Sequence, residues 1–254
     1  MTMTIIDTTS IAPIDHLEAM DLQAVELDRA IALLSTLDPD QWATQTVCPD
    51  WDVRQMWLHV LGACEAGASM RENMRQMLAA RKRCKQLDVP LEAGLSGVQV
   101  AERETLSPTQ LVKRLEQIAP KTIKGRSRTP RPMRAIKMGV DAPVVEKWAL
   151  GYLIDIIYLR DAWVHRVDTA RATGASLELT PDHDGRIVAD VVSEWARRHG
   201  QPFTLELTGP AGGSFTGGSG DDDRESIVMD AIEFCCVLAG RGEATGLMTT
   251  TVPF

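Results

Sequence analysis

Near the end of the most apolar run of the chain stands Asp161-Ala-Trp-Val-His165-Arg-Val-Asp168, and this stretch limits what the rest can fold into. With residues 145–172 as one helix, Leu150, Ile154, Ile157, Asp161, His165 and Asp168 follow each other on one stripe at helical spacing. The stripe is greasy for two turns and then reads acid, imidazole, acid. An unpaired carboxylate in apolar surroundings is costly, so these groups need partners inside the core, and a metal ion is one such partner. Asp161 and His165, four apart, meet on one helix face within about 6 Å. That spacing suits two adjacent ligand positions of a divalent ion, as the two histidines of an HExxH helix do.

Composition narrows the partners. A chain of 254 residues with 44% hydrophobic content can bury a sizeable core, as one large domain or two ordinary ones. Its net charge of −8 argues against a general nucleic-acid binder, which carries a basic surplus. Cys48, Cys64, Cys84, Cys235 and Cys236 are odd in number and contain no CxxC, so neither a disulfide framework nor a four-cysteine zinc knuckle is supported. Reduced thiols and a cytoplasmic location are expected. The N-terminus shows no signal-peptide pattern, and the run 149–159 is interrupted by Asp155 and too short to span a bilayer, so no membrane role is expected.

Taken in order, residues 1–13 carry no period and read as a loose tail. From Ile14 to Leu37, apolar residues recur every three or four positions, an amphipathic helix whose His16 is expected to be solvated. After a turn-rich connector, Asp52 with Gln55 three residues on forms a capping box, and Trp51 with Met56 a hydrophobic staple. The helix launched there carries Met56, His59, Val60, Ala63, Gly67, Met70, Met74 and Met77 on one stripe and runs on to the basic end Arg81–Lys85. His59 therefore faces the core. It is either an imidazole bonded to a neighbour or the third ligand of the Asp161–His165 pair. Three protein ligands with one open position is the catalytic, not the structural, zinc arrangement.

A third helix is expected over Pro108–Ile118, with Ser107 as cap. The basic run from Lys121 to Lys137 lacks aromatic residues to stack on bases and reads as a solvated loop or an anion-collecting rim. A fourth helix is expected from about Pro143, with Val144, Trp148, Tyr152, Ile156, Leu159 and Trp163 as a second apolar stripe, so it is covered on most sides. Four helices imply a bundle with sites built on facing helices. The character changes at Ala172-Thr-Gly-Ala-Ser, which places a helical bundle over 14–172 and a smaller α+β domain over 173–254. In the latter the pattern gives a helix within Pro181–His199, strands at Phe203–Leu207 and Ser226–Val228, a helix over Ala231–Ala239, and a last strand within Gly246–Phe254. The six glycines from Gly209 to Gly220 make a hairpin or a flexible loop, not a phosphate loop.

Cys48-Pro-Asp-Trp-Asp-Val-Arg-Gln-Met-Trp-Leu-His59 resembles the first motif of the mycothiol-dependent maleylpyruvate isomerase family, within the DinB-like metal-binding four-helix-bundle superfamily. Asp161-Ala-Trp-Val-His-Arg-Val-Asp168 resembles its second motif. Asp182-His-Asp-Gly-Arg, the Leu-Ala-Gly-Arg ending at Arg241 and Gly246–Phe254 are similar to its C-terminal domain. The resemblance implies a divalent metal, usually zinc, on His59, Asp161 and His165, and a mycothiol-like thiol as cofactor. It also implies isomerase or S-transferase chemistry on a small electrophile. Where the family pattern commonly has Glu, this chain has Asp161, one methylene shorter, so the metal must sit closer to this helix or bind less tightly. In this reading Arg241 supplies a cation for a carboxylate of thiol or substrate, or else caps helix-end carbonyls. Asp168 orients His165 or pairs with Arg171. Two other classes stay open: a thiol-independent metal hydrolase, and a non-catalytic metal- or ligand-binding protein.

Overall fold

The computed structural model describes residues 4–141, 145–218 and 224–254. The chain forms two compact units, one of Asp15–Leu177, the other joining the residues up to Ile14 to Glu178–Phe254. The first is a four-helix bundle and the second is α+β.

In the bundle, α1 (His16–Leu34) starts at Asp15, whose carboxylate accepts from the Leu17 and Glu18 amides. A short α2 (Pro39–Trp42) and α3 (Val53–Ala68) each begin with a capping box, Asp38/Gln41 and Asp52/Gln55. Then follow α4 (Met70–Leu87), α5 (Leu91–Ala101), α6 (Pro108–Ser127) and the single turn α7 (Arg131–Arg134). An antiparallel hairpin of β2 (Lys137–Val140) and β3 (Glu146–Ala149) leads into a continuous helical run. That run is α8 (Leu150–Tyr152), a π-helical segment Leu153–Ile157, and α9 (Tyr158–Thr173). Helices α1, α3, α6 and α9 make the bundle, with α4 and α5 packed as a pair on α3. Leu27, Leu34, Trp42, Met56, Trp57, Leu61, Leu111 and Leu115 fill one buried cluster.

Several expectations are corrected. The helix begun at Val53 does not run on to Lys85. Ser69 adopts extended backbone (φ −146°, ψ 116°), ends α3, and its hydroxyl accepts from the Glu72 amide to start α4. The basic run is not a loop, because Leu111, Leu115, Ala119, Thr122 and Arg126 keep a buried stripe that carries α6 past Pro120 to Ser127. The fourth helix begins at Leu150, since Glu146–Ala149 pairs with β2; Pro143 and Val144 lie outside the described residues. His16 is not solvated: its Nδ1 lies 2.7 Å from Asp155 Oδ1, and Arg134 Nη1 donates to the other oxygen at 3.3 Å. The carbonyls of the π segment are held by Gln23, whose Nε2 donates to Ile154 O at 2.7 Å.

In the second unit a π turn (Pro181–Gly185) opens α10 (Arg186–His199). The strand β4 (Phe203–Thr208) alternates strictly, burying Phe203, Leu205 and Leu207. It forms a hairpin with β5 (Gly213–Gly217) across the turn at Gly209, and pairs in parallel with β6 (Glu225–Asp230). The described part of the glycine-rich stretch is thus a hairpin, one of the two forms expected. The strand β1 (Ile5–Asp7) pairs in parallel with β5 as the opposite edge, giving the order β1-β5-β4-β6. Ile5–Asp7 is therefore sheet, within the stretch 1–13 that was expected to be a loose tail. The end of the chain is not a strand: Gly246–Thr249 is a 3-10 turn, and beyond it the Val252 amide donates to Leu238 O. Trp195 of α10 packs edge-on against Phe203 and against Phe234 of α11 (Ala231–Leu238).

Candidate metal centre

His59, Asp161 and His165 converge inside the bundle. Helix α3 carries the first and α9 the other two, and one ligand atom from each lies within 4.8 Å of the other two. His59 Nε2 is 3.8 Å from Asp161 Oδ2, and His165 Nε2 is 3.3 Å from Asp161 Oδ1. The two imidazoles meet edge to face at 5.9 Å between centroids, and Trp51 stacks on the outer face of His59 at 5.2 Å. His165 is buried, whereas the Asp161 carboxylate keeps 22% of its surface exposed.

Each imidazole is tied through its other nitrogen. His59 Nδ1 lies 2.8 Å from Gln99 Oε1, an acceptor, so Nδ1 carries the proton and donates. Gln99 is held in turn by Gln76, whose Oε1 accepts from Gln99 Nε2 at 3.0 Å. His165 Nδ1 faces Asp168 Oδ2 at 3.3 Å and donates to it. With both Nδ1 atoms protonated, a neutral imidazole leaves its Nε2 lone pair free, and both Nε2 atoms face Asp161. Trp57 of α3 locks the same turn, donating to Thr169 Oγ1, which itself donates to His165 O. The donor set is thus two imidazole nitrogens and one carboxylate, a group that could hold a divalent ion. The residues fit the metal that the sequence motifs imply.

Electrostatics agree. Burial alone would raise the Asp161 carboxyl, but the charge of His165 and hydrogen bonds from His165 and His59 hold it well below the usual carboxylate range. Burial would lower His165, yet Asp161's charge and hydrogen bond, followed by Asp168, push it up to about 9. The cluster therefore gathers positive charge readily, whether as a proton or as a cation.

Gln99 is the residue that sequence reasoning missed, because α5, which follows Pro90 and contains Gly94 and Gly97, was not anticipated. Cys48 was not anticipated at the site either: its sulfur comes within 4.8 Å of ligand atoms of His165 and Asp168. Glu65, the acid nearest in sequence to His59 along α3, is engaged elsewhere, with Arg103 and Arg114. Arg241 belongs to the second unit. Gly240 takes the left-handed conformation (φ 75°), the Arg241 amide donates to Cys236 O, and its Nη1 donates to Ala239 O at 3.3 Å. None of the five cysteines is in a disulfide, and among the described residues no helix is long and apolar enough to cross a membrane.

The fold and the cluster together define a helical-bundle protein with a His₂–carboxylate site on facing helices. Residues 24–170 match the family described as the mycothiol maleylpyruvate isomerase N-terminal domain, and the chain belongs to that family. Two solved structures of the mycothiol-dependent maleylpyruvate isomerase, one of them a histidine-to-alanine mutant, superpose with a TM-score of 0.57. They share 17% and 16% identity with this chain over 94% of it and 93% of theirs. The helical region has the DinB-like fold of these neighbours. No curated protein matches the chain by sequence.

Proposed function

We propose that this protein is a metal-dependent enzyme that uses a low-molecular-weight, mycothiol-like thiol to isomerise a small electrophile across a cis double bond, or to transfer the thiol to it. The observation that carries the reading is the pair of Nε2 lone pairs aimed at one carboxylate, each fixed by a partner on Nδ1. A divalent ion held there, zinc by the character of the donors, would keep a thiol as its thiolate at neutral pH, the form competent to add to an electron-poor double bond.

The chain's own residues do the rest. His59, Asp161 and His165 hold the ion. Gln99 and Asp168 keep both imidazoles in the ligating tautomer without occupying an inner position. Trp51 closes the outer face of His59 against water. A thiol bound there would supply reversible addition to the double bond: expelled again after rotation about the resulting single bond, it would be regenerated unchanged; kept as an adduct, its sulfur would stay on one carbon and its own proton would pass to the neighbouring one. We assign Arg241 to a carboxylate of thiol or substrate, which Arg241→Met tests through a rise in KM at unchanged metal content. With Glu65 taken by two arginines, no free general base stands out among the described residues of the bundle for a thiol-independent hydrolase.

Metal analysis of protein purified without a histidine tag, beside His59→Ala and His165→Ala, is the test. About one equivalent of zinc in the parent and its loss in both variants is expected; equal content in all three sinks the proposal. Turnover of an ester panel indifferent to added thiol would favour the hydrolase instead.

A further inference from the structure

The connector ahead of α3 brings a thiol to the far edge of His165. Cys48 Sγ, one ligand atom of His165 and one of Asp168 all lie within 4.8 Å of one another. His165 Nε2 faces Asp161, whereas Nδ1 faces Asp168 Oδ2 at 3.3 Å. That separation is long for an N–H···O bond, which is usually about 2.9–3.0 Å. It is close to the spacing of about 3.4 Å between a nitrogen and an oxygen that share one tetrahedral zinc. His165 and Asp168 are buried on adjacent turns of α9, and Cys48 is only partly covered, so an ion can enter from its side.

The turn that carries Cys48 is built to hold it. The Cys48 amide donates to the Thr46 hydroxyl at 3.1 Å, and its carbonyl accepts from the Trp51 amide at 3.0 Å and from Gln45 Nε2 at 2.8 Å. Gln45 and Thr46 both donate to Trp51 O as well, at 2.9 and 2.8 Å. The turn is thus closed on itself, with Trp51 laid on His59 and Cys48 beside His165. To share an ion with the other two donors, the sulfur must stand about 3.6 Å from each, an adjustment of about 1 Å at one side-chain torsion.

We propose that Cys48, His165 Nδ1 and Asp168 form a second metal site, for a soft divalent ion, on the opposite edge of the imidazole that serves the first centre. The thiolate discriminates against hard ions such as magnesium and calcium and suits cadmium, or zinc in excess. With the first centre filled, binding replaces the Cys48 thiol proton and the His165 Nδ1 proton by bonds to the metal, and both protons leave to solvent. One imidazole then bridges two ions, and each draws electron density from the other's nitrogen. The second ion is therefore held more weakly than the first, so about one equivalent of zinc remains on purification. Neither site depends on the other: with the first centre empty, His165 carries its proton on Nε2 and offers Nδ1.

Cadmium chloride is titrated into full-length protein loaded with one equivalent of zinc. The thiolate-to-cadmium absorption in the ultraviolet is followed, together with metal content after gel filtration. The parent is expected to develop the band up to one cadmium per chain while keeping its zinc. Cys48→Ser should weaken that cadmium about tenfold or more and abolish the band, with zinc content unchanged. Cys84→Ser, which alters a partly covered cysteine on α4, should behave as the parent. His59→Ala should keep the band and His165→Ala lose it, so failure of the first centre and failure of the second are told apart. Alkylation of Cys48 by iodoacetamide, followed by mass spectrometry in the parent and so free of any folding defect, should slow about tenfold when cadmium is added. No band in the parent, a band retained in Cys48→Ser, a band lost in Cys84→Ser or His59→Ala, or alkylation of Cys48 indifferent to cadmium overturns the proposal.

Discussion

Replacing Asp168 with Asn isolates the role of the outer partner of His165. Asn has nearly the same size, but it can turn its amide N–H toward Nδ1, which would move the imidazole proton to Nε2 and remove the lone pair that faces Asp161. In the parent the Nδ1–Oδ2 separation is 3.3 Å and Asp168 is 2% exposed, so water does not compete for the bond. Loss of such a partner typically costs about ten- to a hundredfold in metal affinity, or roughly 1.4–2.7 kcal/mol. The bond lies at the long end of the hydrogen-bond range, which places the expectation near tenfold. Zinc affinity is read by competition with a chromogenic chelator, with His165→Ala as the reference for complete loss. A thermal melt of the metal-free proteins shows whether the fold itself has suffered, since Asp168 has further contacts. Parental zinc affinity in Asp168→Asn would refute the tautomer argument. A melt lowered as much as the affinity would show that Asp168 acts through the fold instead.

Two further outcomes follow from the same geometry. In the metal-free protein His165 gains a proton on folding, with its value raised from 6.5 to about 9. The stability this lends is fully present below pH 6.5 and is lost as pH rises toward 9. Metal must displace that proton, so zinc affinity rises over the same window; melting curves with and without zinc should diverge as pH increases, and parallel curves would contradict the assignment. At the α3–α6 crossing a Cβ on Gly125 would overlap the Gly67 carbonyl oxygen, a backbone atom that cannot step aside. Gly125→Ala should therefore destabilise by about 1–3 kcal/mol or more in urea titration, and a change below about 0.5 kcal/mol would mean that the helices can separate freely.

The parts of this fold that local chemistry dictates were legible in the sequence. Asp52 and Gln55 start α3 as a capping box, Ser107 starts α6, and strict alternation marks β4. The i, i+4 pair Asp161–His165 and the buried direction of His59 were enough to nominate the cluster. What escaped was either non-local or masked by a continuing period. The apolar stripe from Met56 to Met77 runs on in sequence, and only Ser69 with Glu72 three residues later, a cap spacing, betrays the break. Nothing local in Ile5–Asp7 announces a partner more than two hundred residues away. Helix α5 carries two glycines, poor helix formers that give no local signal for it, and one of them serves close packing: a Cβ at Gly94 would strike the Cys84 sulfur. Gln99, the support of His59, was hidden with that helix. His16 shows the same limit, since its acid, Asp155, comes from a π segment far along the chain.

Where the resemblance implies a glutamate the chain has Asp161, and the geometry qualifies what the shorter acid implies. Ligands at about 2.0–2.2 Å from a tetrahedral zinc lie about 3.4 Å from one another. The Asp161 oxygens already stand 3.3 and 3.8 Å from the two Nε2 atoms, so the short carboxylate reaches the required separation without help. Asp161 already stands against both histidines and lines a small cavity with Gln23, Cys64 and Arg126, so one more methylene presses on one or the other. Asp161→Glu should therefore fail to tighten zinc and should instead lower affinity, by an amount that overpacking and loss of the preset separation make roughly tenfold. If Asp161→Glu binds zinc more tightly than the parent, the carboxylate is too far from the ion in the native protein, and the close-set centre argued from these distances is wrong.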